Sequence, residues 1–168
     1  MTAESSIRLP AAAMACCLLA AVIAVGGVAE AGFPGLQRVK TAKKPGGPYT
    51  DGVVNANPKP GTSKDRYVRV RSTAALAEKL TLQEHTPVPP DYRIRWFRGV
   101  KGSRNITADV RGAGYEFNLK PDAVKRFRVW IRAKPDSTSP ELCYQGEFEG
   151  PAGFDYANFQ INSPGACN

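Results

Sequence analysis

The fold class is decided by the most regular stretch of the chain, residues 125–133, which read KRFRVWIRA. Apolar side chains occupy every second position, at Phe127, Val129 and Ile131. The positions between and beside them are mostly cationic: Arg126, Arg128, Trp130 and Arg132. A period of two is typical of a β-strand that is buried on one face only. The stretch therefore predicts a half-buried strand with an arginine-rich outer face.

The same alternation recurs along much of the chain. Clear candidate strands are 66–71, 79–84, 92–97 and 115–119, and weaker ones are 106–110, 142–148 and 156–161. Turns rich in Gly, Pro and Asp separate them, and only Ala74–Lys79 reads as a short helical connector. Seven or eight short strands with such turns predict an all-β fold, a single antiparallel sandwich.

The N-terminal segment indicates export. Residues 11–28 are almost wholly apolar, and the small-x-small triplet Ala29-Glu30-Ala31 follows them. This order is that of a secretory signal peptide over residues 1–31, with cleavage between Ala31 and Gly32. Eighteen apolar residues can also serve as an uncleaved membrane anchor. We expect a secreted or cell-envelope protein, with membrane anchoring through residues 11–28 as the alternative.

The rest of the chain divides in two by composition. Residues 32–63 are rich in Gly, Pro, Lys and Asn and read as a flexible basic leader that contains the one weak strand at 37–43. Residues 64–168 carry the regular alternation and form the predicted domain. With the signal peptide removed, Cys143 and Cys167 are the remaining cysteines, and an even pair in an exported protein predicts one disulfide.

Several segments in sequence order are similar to a known family. They are 92–99 (YRIRWFRG), 105–110 (NITADV), Gly114-Tyr115, 119–123 (LKPDA) and 126–131. This series resembles the second half of bacterial extracellular immunoglobulin-like domains of the CARDB, or adhesion, type, and residues 65–82 resemble their earlier hairpin. Asp122 stands where the family has a turn glycine, and Asp tolerates a positive φ better than most residues. The resemblance covers about residues 51–135 and implies an immunoglobulin-like, extracellular, non-enzymatic domain.

The residues that could support catalysis or metal binding are few. His85 is the one histidine, and no Gly-x-Ser-x-Gly elbow accompanies it. Glu147, Glu149 and Asp155 could supply oxygen ligands to calcium, but the Asp-rich binding loop is missing and alternating Glu residues are typical of a solvent face. We therefore predict no enzymatic activity, no cofactor and no metal site.

Arginines on predicted outer faces form the one chemically distinctive pattern, in a chain of net charge +8. The candidate binding residues are Arg69, Arg71, Arg93, Arg95, Phe97, Arg126, Arg128, Trp130 and Arg132. If their strands are neighbours, the sheet carries a cationic stripe with aromatic rings able to stack on sugars or bases. Arginines on a strand exterior also discourage edge pairing, which is the simpler explanation. A buried Trp130 would reverse the assigned strand phase.

These observations predict an exported, non-catalytic binding domain of a bacterial envelope or secretome. An anionic glycan or wall polymer is the expected ligand of the Arg/Trp face. Nucleic acid is disfavoured, and membrane contact requires an uncleaved N-terminal helix. The alternative is a purely structural or adhesive surface domain that acts through protein partners at the cell surface.

Overall fold

A computed structural model describes residues 38–102, 104–138, 140–162 and 167. The predicted signal peptide, the alternative anchor at 11–28 and the Ala31–Gly32 cleavage site lie outside the described residues. Within them the chain forms ten strands and one short helix: β1 Arg38–Ala42, β2 Val53–Asn55, β3 Ser63–Arg71, β4 Glu78–Glu84, β5 Tyr92–Arg98, β6 Arg104–Asn105, α1 Thr107–Arg111, β7 Tyr115–Leu119, β8 Val124–Ala133, β9 Leu142–Gly150 and β10 Gly153–Ile161.

The strands form two five-stranded sheets. Sheet A has the order β1-β3-β8-β5-β6, and sheet B has the order β2-β10-β9-β4-β7. Every neighbouring pair is antiparallel except β2 and β10, which run parallel. The prediction of an all-β, mostly antiparallel fold is confirmed. The strand count is ten rather than seven or eight, because the short strands β2 and β6 carry too few residues for a periodic signal.

The core lies between the two sheets. Phe127, Val129 and Ile131 of β8 are fully buried, so the strand phase assigned from the sequence is correct. They share one apolar cluster with residues of sheet B such as Leu82 and Phe148. Each such side chain stabilises the fold by about 1.5–3 kcal/mol through removal from water. The alternating pattern of the sequence thus becomes a two-layered sandwich.

Trp96 of β5 determines how closely the sheets approach. Its side chain is fully buried and packs against the rings of Tyr144, Phe148 and Phe159 from sheet B. A Cβ atom at Gly146 of β9 would lie 2.5 Å from the indole, so only glycine fits there. The widest side chain of the core therefore requires the smallest residue opposite it.

Part of the segment predicted as a flexible leader belongs to the sandwich. Over residues 38–55 that prediction is wrong, whereas the weak strand predicted at 37–43 is present as β1. β1 pairs with β3 in sheet A, β2 pairs with β10 in sheet B, and Val39 and Val54 are buried. The high Pro and Gly content of this segment obscured the short edge strand β2 and the pairing of β1 with the sandwich.

Two local predictions from the sequence are also wrong. Residues 106–110 lie at the start of α1 and not in a strand, because Ile106 and Val110 are four positions apart and one helical turn buries both. Ala74–Lys79 forms no helix; a bend leads directly into β4. Asp122, by contrast, adopts a φ of 58° in the turn before β8, as its place in the family's glycine position implied.

Cys143 and Cys167 form a disulfide, with Cα atoms 4.9 Å apart, as the sequence predicted. The bond attaches the C-terminal end of the chain to β9. Disulfides are typical of oxidising compartments outside the cytoplasm. In the described part of the chain, no helix has the length and apolar character needed to cross a membrane.

Candidate anion-binding face

The nine candidate binding residues lie on three adjacent strands of sheet A. β8 is central, with β3 on one side and β5 on the other. Arg71, Arg93, Arg95 and Arg126 are exposed, and the remaining candidates, Arg69, Phe97, Arg128, Trp130 and Arg132, are half-buried. Because the alternate residues of these strands fill the core, all nine belong to the surface that we call the basic face.

The strand register places arginines directly opposite one another. Arg69 of β3 faces Arg126 of β8, and Arg93 of β5 faces Arg132 of β8. Directly opposed side chains of an antiparallel pair have Cβ atoms about 4.5–5.5 Å apart, and like charges there destabilise the sheet. The basic face therefore holds two like-charged pairs that a random polar surface would avoid.

Carboxylates neutralise only part of this charge. Asp122 lies 3.0 Å from Arg71, and Asp65 lies 3.7 Å from Arg128. No carboxylate of the described residues forms an ion pair with Arg93, Arg95, Arg126 or Arg132. Most of the cationic groups on the face are thus open to an external anion.

Aromatic rings support several guanidinium groups instead. Arg95 lies 5.3 Å from the centroid of the Trp130 ring, which it faces across the strands, and Arg128 lies 4.3 Å from that of Phe97. Cation–π contacts of this kind contribute about 0.5–1 kcal/mol at exposed sites. They hold the arginines in fixed positions without removing their positive charge.

Arg128, at the centre of the face, is held by the loop that follows β5. Arg128 Nη2 donates to the Gly102 carbonyl oxygen at 3.3 Å, and a Cβ atom at Gly102 would lie only 2.7 Å from Arg128 Nε. Buried Arg128 Nε, Arg69 Nε and Asp65 Oδ1 have no hydrogen-bond partner within the described part of the chain. The loop after β5 therefore encloses Arg128, and these three atoms keep unused hydrogen-bonding capacity.

Three residues that sequence reasoning missed also belong to the face or its border. Lys40 of β1 faces Arg69 and pairs with Asp51 at 2.8 Å. Tyr49 lies 5.1 Å from Arg69, and burial raises the pKa of its hydroxyl against the opposing effect of Arg126 and Arg69. Lys134 follows β8 directly. The first two were hidden in the segment read as a leader, and Lys134 was read as part of a turn.

The carboxylates considered for calcium do not converge. Glu147 and Glu149 lie on the outer face of sheet B, whereas Asp155 pairs across from buried Phe148 and accepts the Val39 N–H at 2.8 Å. The described residues contain no cluster of three or more His, Cys, Asp or Glu suited to a metal ion. Asp155 instead joins the edge of sheet A to sheet B, and burial raises its pKa while the two backbone hydrogen bonds lower it.

His85 forms a surface cluster and not a catalytic arrangement. Its Nδ1 lies 2.9 Å from Glu147 Oε2, and its ring contacts Tyr156 edge-on at a centroid distance of 5.0 Å. No serine or cysteine hydrogen-bonds to His85 among the described residues. Around His85, the described residues therefore place no serine or cysteine nucleophile of the kind that hydrolases pair with a base.

Comparison with known proteins gives no family. No protein-family model and no curated protein sequence matches the chain. Solved structures that align with it include a family 123 glycoside hydrolase from Clostridium perfringens (8% identity, 74% of this chain and 26% of that one, TM-score 0.46), a human PapD-like domain of CEP192 (13%, 73% and 81%, 0.40) and a protein of unknown function from Porphyromonas gingivalis (8%, 77% and 48%, 0.41). The chain spans about a quarter of the Clostridium enzyme. These TM-scores are too low to carry an argument, so the sandwich described above rests on its own two sheets.

Proposed function

We propose that this chain is an exported, non-catalytic binding domain that binds anionic polymers through the basic face. The observation that carries the proposal is the pair of directly opposed arginines, Arg69 with Arg126 and Arg93 with Arg132. Opposed like charges cost stability in the free protein. A polyanion laid across the three strands relieves this repulsion and forms charge-assisted hydrogen bonds with guanidinium groups, which are suited to sulfate, phosphate and carboxylate.

The arrangement of rings supports a glycan or wall polymer as the ligand. Trp130 and Phe97 lie between the arginines on the same face. Amphipathic aromatic rings bury apolar area while leaving polar groups free to bond, as sugar recognition requires. The planar guanidinium groups and aromatic rings extend across the three adjacent strands β3, β8 and β5. Such a surface fits an extended polymer better than a compact small molecule.

Salt-dependent retention on a heparin column tests this function. The face variant Arg93→Ala/Arg95→Ala/Arg126→Ala removes three exposed charges, and the control Lys59→Ala/Lys79→Ala/Lys120→Ala removes three exposed charges elsewhere. We expect the face variant to elute at markedly lower NaCl concentration than the control, although the net charges are equal. Equal elution of the two variants, or no retention of the unmodified protein, would contradict the proposal.

Export and the finer fold class are part of the same proposal. The apolar N-terminal segment before Ala31, and a disulfide of the kind found in oxidising compartments, support an extracytoplasmic location. The resemblance of residues 51–135 supports an immunoglobulin-like sandwich of the bacterial extracellular type. N-terminal sequencing of the protein from medium and membrane fractions tests export: a chain that starts at Gly32 in the medium supports cleavage, and an intact N-terminus in the membrane supports the anchor.

One observation favours the second candidate function, a structural or adhesive domain with protein partners. Phe154 of β10 is 57% exposed and packs beside Tyr156 at a centroid distance of 5.4 Å on sheet B, opposite the basic face. Exposed aromatic pairs are typical of protein contact sites. Cell-surface attachment that is lost in Phe154→Ser but kept in the triple arginine variant would favour this function over polymer binding.

A further inference from the structure

Two cavities adjoin each other at one end of the basic face, where β5 begins and β8 ends. The smaller has a volume of about 360 Å³ and is lined by Arg93, Arg132, Lys134, Pro135 and Asp136. The larger has a volume of about 710 Å³ and extends along β5 toward α1. Arg93 and Lys134 line both cavities, so the two are direct neighbours. Volumes of this order are typical of sites for small ligands or single sugar units.

The lining of the smaller cavity has an excess of positive charge. Arg93, Arg132 and Lys134 contribute three cations, and Asp136 contributes the one carboxylate of its lining. None of the three cations forms an ion pair within the described residues. Low-dielectric walls on a concave surface focus such a field and raise the local concentration of anions.

The lining of the larger cavity is partly apolar and partly polar. Val88, Pro89 and Pro90 form an apolar side, while Arg95 and Asn105 form a polar one. Arg111 also lines it, but its guanidinium is engaged by Glu84 at 3.1 Å and by the Ile94 carbonyl oxygen. A sugar ring can pack its apolar face on the prolines while its hydroxyls meet Arg95 and Asn105.

The opposite end of the basic face differs in one respect. Arg69 and Arg126 are also directly opposed, but Tyr49 lies over Arg69, and Lys40 beside them is paired with Asp51. The segment that carries Tyr49 thus covers part of this end. Among the described residues, no aromatic ring or neighbouring segment lies over the Arg93–Arg132 pair. The two arginine pairs therefore carry the same charge, but the Arg93–Arg132 pair is more accessible to a ligand.

We propose that the cleft formed by Arg93, Arg132 and Lys134 is the primary subsite of the basic face and binds one sulfate, carboxylate or phosphate group of an anionic glycan. The adjoining larger cavity receives the next sugar, between the prolines and Arg95. This inference rests on the proposed function and deepens it, since it assigns most of the binding energy to one end of the face.

A comparison of matched double variants in the otherwise unmodified protein tests the subsite. Arg93→Ala/Arg132→Ala and Arg69→Ala/Arg126→Ala each remove one opposed arginine pair and two charges. Titration calorimetry with a heparin-derived hexasaccharide measures the affinity of each variant. We expect the loss of affinity to be about tenfold greater in the first variant than in the second, because the first loses direct charge-assisted hydrogen bonds in addition to electrostatic attraction. A loss that is equal in the two, or larger in the second, overturns the subsite and leaves the proposed function standing. Absence of hexasaccharide binding by the unmodified protein overturns both.

A single substitution keeps the test valid if a double variant does not fold. Lys134 follows β8 and lines both cavities, whereas Lys59 is an exposed lysine that lines neither. We expect Lys134→Ala to weaken hexasaccharide binding severalfold and Lys59→Ala to leave it unchanged. Equal affinities of these two variants would contradict the subsite. Circular dichroism and urea unfolding establish that each variant has the fold of the unmodified protein.

Discussion

At the scale of single residues, a buried hydrogen-bond chain joins the two sheets. Trp96 Nε1 donates to the Tyr144 hydroxyl oxygen at 2.6 Å, and the Tyr144 hydroxyl donates to Glu84 Oε1 at 2.9 Å. Arg111 Nε then donates to the same carboxylate at 3.1 Å. Each buried polar group in this series of hydrogen bonds has a partner. A polar group that has a partner can be buried without a large cost in folding free energy.

Removing the hydroxyl from this chain should destabilise the protein. Tyr144→Phe leaves the Trp96 N–H unpaired in the core and removes a donor from Glu84, so we expect a loss of about 1–3 kcal/mol in the free energy of unfolding. Urea unfolding followed by tryptophan fluorescence measures it. Tyr115→Phe is the control, because Tyr115 also lies in the core but makes no hydrogen bond through its hydroxyl within the described residues. Equal losses in the two variants would contradict the role of the hydrogen-bond chain.

The same residue predicts how stability depends on alkaline pH. Burial first, and then the charge of Glu84, raise the pKa of Tyr144 well above 10.0. Because the folded state holds this proton more tightly than the unfolded state, the stabilisation is complete below pH 10 and is lost as the pH rises through the folded-state pKa. As the pH rises above about 10, the unmodified protein should lose more stability than Tyr144→Phe. Parallel curves of unfolding free energy against pH would refute this.

At the scale of elements, the sequence predicted the strands that alternate clearly between apolar and polar residues. It did not predict the very short strands or the role of segments interrupted by Pro and Gly. The phase of β8 is correct because Phe127, Val129 and Ile131 recur at every second position, and the structure buries all three. Ile106 and Val110 fit a strand or a helical turn equally well over so few residues, and only their burial under the end of β5 decides between the two. β2 is a three-residue edge strand whose pairing partner, β10, lies about a hundred residues along the chain, so local composition could not reveal it.

The disulfide joins β9 to the part of the chain that follows β10. It closes a loop with a sequence separation of 24 residues, which on the chain-entropy estimate stabilises the fold by about 3 kcal/mol. We expect Cys143→Ser/Cys167→Ser to lose about this amount in urea unfolding. Reductant should bring the unmodified protein to the stability of the double variant and leave that variant unchanged. A reductant effect of the same size on both would contradict the assignment.

At the scale of the whole domain, charge is distributed unequally between the two outer faces. The outer face of sheet B carries Glu116, Glu147 and Glu149 with Lys79, whereas that of sheet A is dominated by arginine. The sequence predicted which residues point outward on β3, β5 and β8. It could not predict that β8 lies between β3 and β5, and this topology is what turns separate arginines into opposed pairs and a single face. The cleft at Arg93 is likewise a product of tertiary structure.

We propose that the basic face, and not the net charge, binds an anionic polymer. The most direct test is a titration of the isotope-labelled protein with a heparin hexasaccharide, followed by backbone amide and arginine side-chain NMR signals. We predict the largest shifts at residues 93–97 of β5, 126–132 of β8 and 67–71 of β3, led by Arg93 and Arg132, with sheet B unaffected. Shifts of similar size on both sheets, or shifts confined to sheet B, would contradict the claim.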